Sequence, residues 1–436
     1  MDTAFEVPSP RLSPSVRALL LVFLLSLGLR VGYLLIVLHG PLGNGDSPTY
    51  ELLAEKLAGH QPYLTPNAGW FSDDLVRPAG YPLFLALVNS SSTISRARTA
   101  AVQCALSASF AVLLAILVGR VTNGFAGLLA GILYATDWAT IIHAPLVIAE
   151  TLFVILLGTA VCLYAFALTR KSALLSLSSG LFLGLAVLVK PIAQVVVIAF
   201  LLGWLFQEKR RPAGLVFLLS YLLCVGPWIA RNYREHGVAT VSPIGVVNLY
   251  VYTAQASAHP HPVSDLSGSA LNKDLTGIRA DWAARPISAS ERTRAMERET
   301  MALVLQHWPT VLRQSAIGMA RTCFGTGFIT VADSLPHPPG RLTKLLAALL
   351  PFVGLVPLWG LAFVGTFSSL AGANRAVRIM LASSVVLLLL PAASAVGQSR
   401  FRVPAVPALS VLAAIGAAQL RGPSESAPLR KFATAD

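Results

Sequence analysis

Runs of about twenty apolar residues follow one another along nearly the whole chain, with charge confined to short clusters between them. Inside a bilayer every backbone N–H and C=O must be satisfied by the protein itself, so such runs can only be helices or the strands of a closed barrel. A hydrocarbon core about 30 Å thick takes about 20 residues per helix. The runs are continuous rather than alternating, which argues against a barrel. Of the 436 residues only 12% are charged, and the mean hydropathy is +0.67, whereas soluble domains carry about 25% charge. The expected fold class is an all-α polytopic membrane protein.

The formal charge of +13 does not point to nucleic acid. Most of the surplus sits in short basic clusters between spans, where cytoplasmic loops meet anionic headgroups. Cys104, Cys162, Cys224 and Cys323 form no CxxC pair, and three of them lie inside apolar runs. They read as small buried residues rather than a metal site or a disulfide framework. The first apolar run, about Val16 to Leu38, is too long for a signal-peptide core and reads as a signal anchor.

Charge sets the topology. Arg11 and Arg17 place the N-terminus inside, and Arg120, Arg170-Lys171 and Lys209-Arg210-Arg211 mark further inside loops. Both of the last two clusters can be inside only if the stretch between them crosses twice, with a hinge at Lys190-Pro191. About ten spans result, with both termini inside. Residues 1–229 form an N-terminal membrane module whose long first outer loop, 40–98, carries surface helices. A small outer domain, 230–344, separates spans seven and eight, and its apolar piece Val311–Val331 reads as amphipathic or re-entrant because it holds Arg313 and Arg321. The last spans fill 345–420, and 421–436 is a polar inner tail.

Charge near a bilayer is costly and is a functional hint by default. Here it collects on the outer side: Asp46, Glu51, Asp73, Asp74 and Arg77 in the first loop, Asp137, His143 and Glu150 at the span three/four corner, then Lys190, Arg231, Arg400 and Arg402. Positive charge outside runs against the usual loop bias, and a shared anionic ligand would explain it. Each residue also has a plainer reading. Asp46, before Ser47-Pro48, is a good N-cap. Arg77 could snorkel to headgroups, Lys190 could anchor at the interface, and a lone His143 is more often structural than a ligand. Asp73 and Asp74 read as solvated loop charges, although such a pair can bind a cation. Tyr50, Tyr63 and Trp70 read first as interface-belt aromatics. Glu150 is the hardest to explain structurally, because an unpaired carboxylate is expensive to bury. A carboxylate and a guanidinium at the lip of a membrane suit an enzyme with a lipid-phosphate donor: one takes a proton from an acceptor, the other holds the phosphate.

Several short motifs stand in order: Gly45-Asp46-Ser47-Pro48-Thr49-Tyr50, Arg77-Pro78-Ala79-Gly80-Tyr81-Pro82, Ala149-Glu150-Thr151-Leu152-Phe153, Gly184 to Pro191 ending in Lys190-Pro191, Gly226-Pro227-Trp228-Ile229-Ala230-Arg231-Asn232-Tyr233 and Arg400-Phe401-Arg402-Val403-Pro404. In this order the chain resembles the GT-C superfamily of membrane glycosyltransferases, family 39 type. That group includes dolichyl-phosphate-mannose–protein mannosyltransferases, lipid A aminoarabinose transferases and Rgt-like lipopolysaccharide sugar transferases.

The resemblance implies a GT-C fold and roles for particular residues. Asp46 matches the first-loop general base and Glu150 the second acidic position. Arg77 and Lys190, with Arg400, match donor-phosphate contacts. Tyr50, Tyr81, Arg231 and His143 are secondary substrate-binding candidates. Ser47 stands where some members carry a second acidic residue, which leaves a two-carboxylate first-loop site, and any metal there, open. No cofactor is required by this reading, and a divalent cation remains an open question. The implied reaction moves a monosaccharide from a polyprenyl-phosphate donor to an extracytoplasmic glycan, glycolipid or protein acceptor, with inversion, at the outer face of a bacterial cytoplasmic membrane. The expected partners are that donor, the acceptor and membrane lipids, with no nucleic acid. The rival readings are a ligase or polymerase using a lipid-linked glycan, and a lipid flippase or transporter. A flippase should carry polar residues at mid-bilayer depth in several spans.

Overall fold

Caps and breakers in the sequence divide the apolar runs into helices. The computed structural model describes residues 14–65, 71–90, 93–170, 172–207, 212–258, 269–337, 340–369, 374–394 and 397–421. The first half of the chain holds α1 (Val16–Val37), α2 (Ser47–Ala58), α3 (Asp73–Val76), α4 (Gly80–Asn89), α5 (Arg96–Val121), α6 (Gly124–Thr136), α7 (Trp138–His143), α8 (Glu150–Arg170), α9 (Ala173–Val189), α10 (Val196–Leu205) and α11 (Ala213–His236). The second half holds α12 (Ile244–Leu249), α13 (Ala256–Ala258), α14 (Ser269–Ala284), α15 (Ala289–Gln306), α16 (Trp308–Phe324), α17 (Phe328–Ser334), α18 (Arg341–Thr366), α19 (Arg375–Leu389) and α20 (Val406–Leu420). No strand occurs among the described residues. Side chains of Ser15, Ser95, Asn123, Asp137, Ser172 and Asn374 each accept a backbone N–H at a helix start, which satisfies donors the helix itself cannot.

Among the described residues seven helices are long and apolar enough to cross a membrane: α1, α5, α8, α11, α18, α19 and α20, the last two counted with their adjoining 3-10 turns. Three shorter apolar helices, α6, α9 and α10, lie where spans three, five and six are expected. The break between α9 and α10 falls at Lys190-Pro191. Lys190 is extended (φ −147°, ψ 110°), as the residue before a proline tends to be, and Pro191 opens a 3-10 turn, Pro191–Val195. After the break the partners change: α9 packs on α8 and α11, whereas α10 packs on α19.

Two expectations about helix extent are adjusted. The helix of span seven runs past Ile229 to His236 and ends on Gly237 at φ 69°, a left-handed terminus that glycine takes without strain. The apolar piece 311–331 is split between α16 and α17, with Gly327 at φ 74° as the joint. Arg120 and Arg170 end α5 and α8, and Arg375 begins α19. Arg11, Lys171, Lys209, Arg210, Arg211, Trp70 and the tail 422–436 lie outside the described residues.

α20 is the most enclosed span, buried along almost its whole length. It packs on α18, α6 and α19, while α5 joins α1, α6 and α8. Arg30, in the middle of apolar α1, is fully buried. Its guanidinium donates to the carbonyls of Ala135 (2.9 Å) and Tyr134 (3.4 Å) and to the hydroxyls of Ser107 and Thr140. It thereby helps to satisfy two carbonyls in the last turn of α6, where helical partners run out.

The C-terminal ends of α1 and α9 and the N-terminal ends of α5, α8 and α20 converge at one end of the bundle. Val147 N donates to Leu42 O (2.9 Å), and Arg96 reaches Pro41 O (2.8 Å) and Glu51. This is the end that charge patterning assigns to the outside.

Candidate active site

Asp46 sits in a tight turn that its neighbours fix. Asn44 Oδ1 accepts from Asp46 N (2.9 Å), and Ser47 Oγ accepts from Asn44 N (2.9 Å) while donating to Val147 O (2.8 Å). Ser47 therefore ties the Asp46 turn to the segment leading into Glu150. Ser47 is itself fully buried. Asp46 occupies the N-cap position of α2, but its side chain makes no capping bond. One carboxylate oxygen takes Arg77 Nη2 (2.6 Å) and the other Arg400 Nη2 (2.6 Å).

Glu150 opens α8 and has no solvent exposure. Its Oε1 receives Lys190 Nζ (2.6 Å) and Arg400 Nε, while Oε2 has no hydrogen-bond partner. The extended backbone at Lys190 ends α9 with the side chain turned to Glu150. Arg400 comes from the 3-10 turn Ser399–Ala405 that enters α20. The structure thus brings five residues singled out in the sequence into one row, Arg77–Asp46–Arg400–Glu150–Lys190, alternating in sign. Three cations face two carboxylates, an excess of one positive charge. Glu150 lies beneath, while the side chains of Arg77, Lys190 and Arg400 keep 22%, 21% and 19% of their surface, so an anion can reach them from one side.

Partial burial alone would raise the Asp46 pKa, because it penalises charge, but the adjacent Arg400 and Arg77 outweigh it and hold the carboxyl well below the usual aspartate range. With both oxygens occupied and ionisation so favoured, Asp46 is a poor base until a guanidinium leaves it.

Tyr50 and Tyr81 stand behind the row. The Arg77 guanidinium lies 5.1 Å from the Tyr50 ring centroid, and Tyr50 packs edge-on against Tyr81 at 4.9 Å. Burial pushes the Tyr50 hydroxyl up to about 12. Tyr81 OH donates to Gln103 Oε1 (2.9 Å), and Gln103 Nε2 donates to the carbonyls of Ala144 (3.0 Å) and Leu146 (2.6 Å). Gln103 is a polar residue inside apolar α5 that the sequence reading passed over. Its amide within a hydrophobic run was the available signal, as was the charge of Arg30 in α1.

Other outer residues go elsewhere. Arg231 binds Asp74 Oδ2 and the Tyr63 carbonyl rather than any member of the row. Asp74 is not a solvated loop charge: it is buried and accepts from Arg231, His236 and Thr65. Burial would raise its pKa, but the bonds from Arg231 and Thr65 lower it to about 2. His143 is buried, its Nδ1 is 2.7 Å from Ala139 O, and desolvation lowers its pKa to about 4. Asp137 caps α7 through Thr140 N (2.8 Å). Arg402 is buried and donates to the carbonyls of Thr322, Cys323 and Gly325. Among the described residues no three His, Cys, Asp or Glu side chains gather as a metal site. Both Asp46 oxygens carry guanidinium groups and the row has surplus positive charge, so the row with Asp46 so paired suits an anion.

No family model and no curated protein sequence matches the chain. Solved structures do. The archaeal oligosaccharyltransferase AglB from Archaeoglobus fulgidus, in complex with an inhibitory peptide and a dolichol-phosphate, superposes with a TM-score of 0.53 at 14% identity, covering 92% of this chain and 50% of that one. The Archaeoglobus fulgidus oligosaccharyltransferase tethered to an acceptor peptide with the NVT sequon gives 0.55 at 15% identity, covering 92% and 49%. The same enzyme's complex with Zn and sulfate gives 0.52 at 12% identity, covering 92% and 48%. The present chain spans about half the length of these structures. At such identities the likeness is one of fold: the chain shares the fold of these oligosaccharyltransferase structures.

Proposed function

We propose that the protein is a membrane glycosyltransferase that takes a sugar from a lipid-phosphate carrier, with the five-residue row as its active site. The observation that carries this reading is the row itself: three partly exposed cations held by two carboxylates at one end of an apolar GT-C bundle. Such a surface offers guanidinium and ammonium donors to a phosphate at the depth where a lipid headgroup lies.

The donor is a polyprenyl-phosphate monosaccharide. Its phosphate takes the place of Asp46 on Arg77 and Arg400 and meets the exposed side of Lys190, which stays paired with Glu150. These cations stabilise the negative charge that builds on the departing polyprenyl phosphate. Asp46, released from its guanidinium partners, takes the proton of the acceptor hydroxyl as that oxygen attacks the anomeric carbon. The C–O bond to phosphate breaks as the new glycosidic bond forms, and displacement from the opposite face inverts the centre. Phosphate is a good leaving group, so no separate general acid is needed. Glu150 keeps Lys190 and Arg400 in place.

The acceptor is an extracytoplasmic glycan, glycolipid or protein, and the membrane is the bacterial cytoplasmic membrane with this end outward. A second reading, transfer of a whole glycan from a pyrophosphate carrier, is favoured by the oligosaccharyltransferase neighbours.

A donor panel separates the two. Purified protein is incubated with polyprenyl-phosphate monosaccharides and with a pyrophosphate-linked glycan, using membrane extract as acceptor source, and the released lipid phosphate is measured. Release from a monosaccharide donor is expected, and an EDTA arm reads whether that release needs a divalent cation. Release only from the pyrophosphate donor would favour the ligase, and no release from either would sink both.

A further inference from the structure

We propose that Tyr63, Arg231 and Ser242 clamp the backbone carrying Arg77, and that they set the affinity for the lipid phosphate without touching it. The proposal rests on the reading that Arg77 holds that phosphate.

Arg77 follows α3, a single helical turn. One turn cannot sustain itself, because it fixes several residues for very few bonds. Arg77 is itself extended (φ −110°, ψ 105°) and precedes a proline, so its carbonyl has no helical partner. Side chains from distant parts of the chain take up the carbonyls of this segment. Arg231 Nη1 donates to Asp74 O (3.3 Å), Ser242 Oγ to Val76 O (2.7 Å) and Tyr63 OH to Arg77 O (2.8 Å).

The clamp is itself anchored. Arg231 Nη2 pairs with Asp74 Oδ2, which also meets His236 Nε2 (2.8 Å), and it donates to the Tyr63 carbonyl as well. Its guanidinium lies 5.1 Å from the Trp228 ring centroid, and Trp228 packs edge-on against Tyr63 at 5.6 Å. The result joins the first outer loop to the end of α11 and to the segment after it.

What makes the clamp functional is where it acts. The Arg77 guanidinium is held by Asp46 and the Tyr50 ring. When phosphate displaces Asp46, the clamp at the backbone is what keeps the guanidinium aimed at the row. Tyr63, Arg231 and Ser242 are positioning residues in this scheme.

The test measures binding of polyprenyl phosphate to the full-length protein in detergent, together with its melting temperature. Wild type is compared with Arg77→Ala, Tyr63→Phe, Ser242→Ala and the double variant Tyr63→Phe/Arg77→Ala. Tyr63→Phe is nearly isosteric and removes one hydroxyl. It should weaken binding about fivefold, the equivalent of one neutral hydrogen bond of about 1 kcal/mol, and Ser242→Ala should act in the same direction. The double variant should bind no more weakly than Arg77→Ala alone, because the clamp works only through Arg77. A merely structural role would lower the melting temperature and leave the Kd of the folded protein unchanged, and that result overturns the proposal. So does a double variant whose losses add. Arg77→Ala binding like wild type would instead overturn the phosphate reading, and the clamp with it. The two failures are therefore distinguishable.

Discussion

At Glu150 a carboxylate without solvent exposure carries Lys190 and Arg400 on a single oxygen. Removing one partner of a buried ion pair leaves the others uncompensated in a medium that penalises charge. Glu150→Ala should therefore destabilise the protein by about 3–5 kcal/mol, read as a fall in melting temperature in detergent, whereas Glu150→Gln should cost less because an acceptor oxygen remains. An equal, small effect of both would mean that the row is solvated. Protonation gives a second test. The Asp46 pKa in the folded protein lies below the ordinary value, so its ion pairs persist as pH falls through the usual aspartate range and are lost only beneath it. His143, lowered to about 4, stays neutral above that pH. Because kcat/KM reports the free enzyme, it should be flat from about pH 8 to about pH 5. An acid limb near pH 6.5, the ordinary histidine value, would assign the chemistry to a histidine instead.

At the scale of elements, the row is assembled by breaks and starts of helices. Asp46 stands before α2, Glu150 begins α8, Lys190 ends α9 and Arg400 precedes α20. α4 closes on this assembly through Gly80, where a Cβ would come within 2.6 Å of Leu188 O. Gly80→Val should push α4 away from the end of α9, spread Arg77 from Lys190 and abolish activity at a lower melting temperature. Unchanged activity would show that the two elements move independently. Much of this was legible in the sequence. Lys190-Pro191 signals its own break, because proline lacks the N–H that α9 would need. Glu150 in an apolar run signals an ion pair, because burial alone is so costly. The partners of Asp74 and Arg231 were not legible. They lie 157 residues apart, no periodicity links them, and in the sequence Asp74 reads as a solvated loop charge while Arg231 reads as a substrate-binding candidate. Asp46 had a plausible local role as a cap, and only the fold shows both of its oxygens turned to arginines. Gln103 and Arg30 stand out as polar residues within hydrophobic runs, but their partners lie in other helices and leave no local mark in the sequence.

Across the whole molecule, the bundle gathers helix ends from both halves of the chain at one end and leaves a positive excess there. The fold is shared with an archaeal oligosaccharyltransferase. In the proposed mechanism Asp46 is both the base and the placeholder for the donor phosphate. The most direct measurement compares wild type and Asp46→Asn for release of polyprenyl phosphate and for binding of that lipid. Turnover should be lost while binding tightens about tenfold, since Arg77 and Arg400 no longer give up a charged hydrogen bond worth about 1.5 kcal/mol or more. Retained turnover would remove Asp46 from the base role, and weaker binding would mean that Asp46 supports the phosphate site rather than filling it.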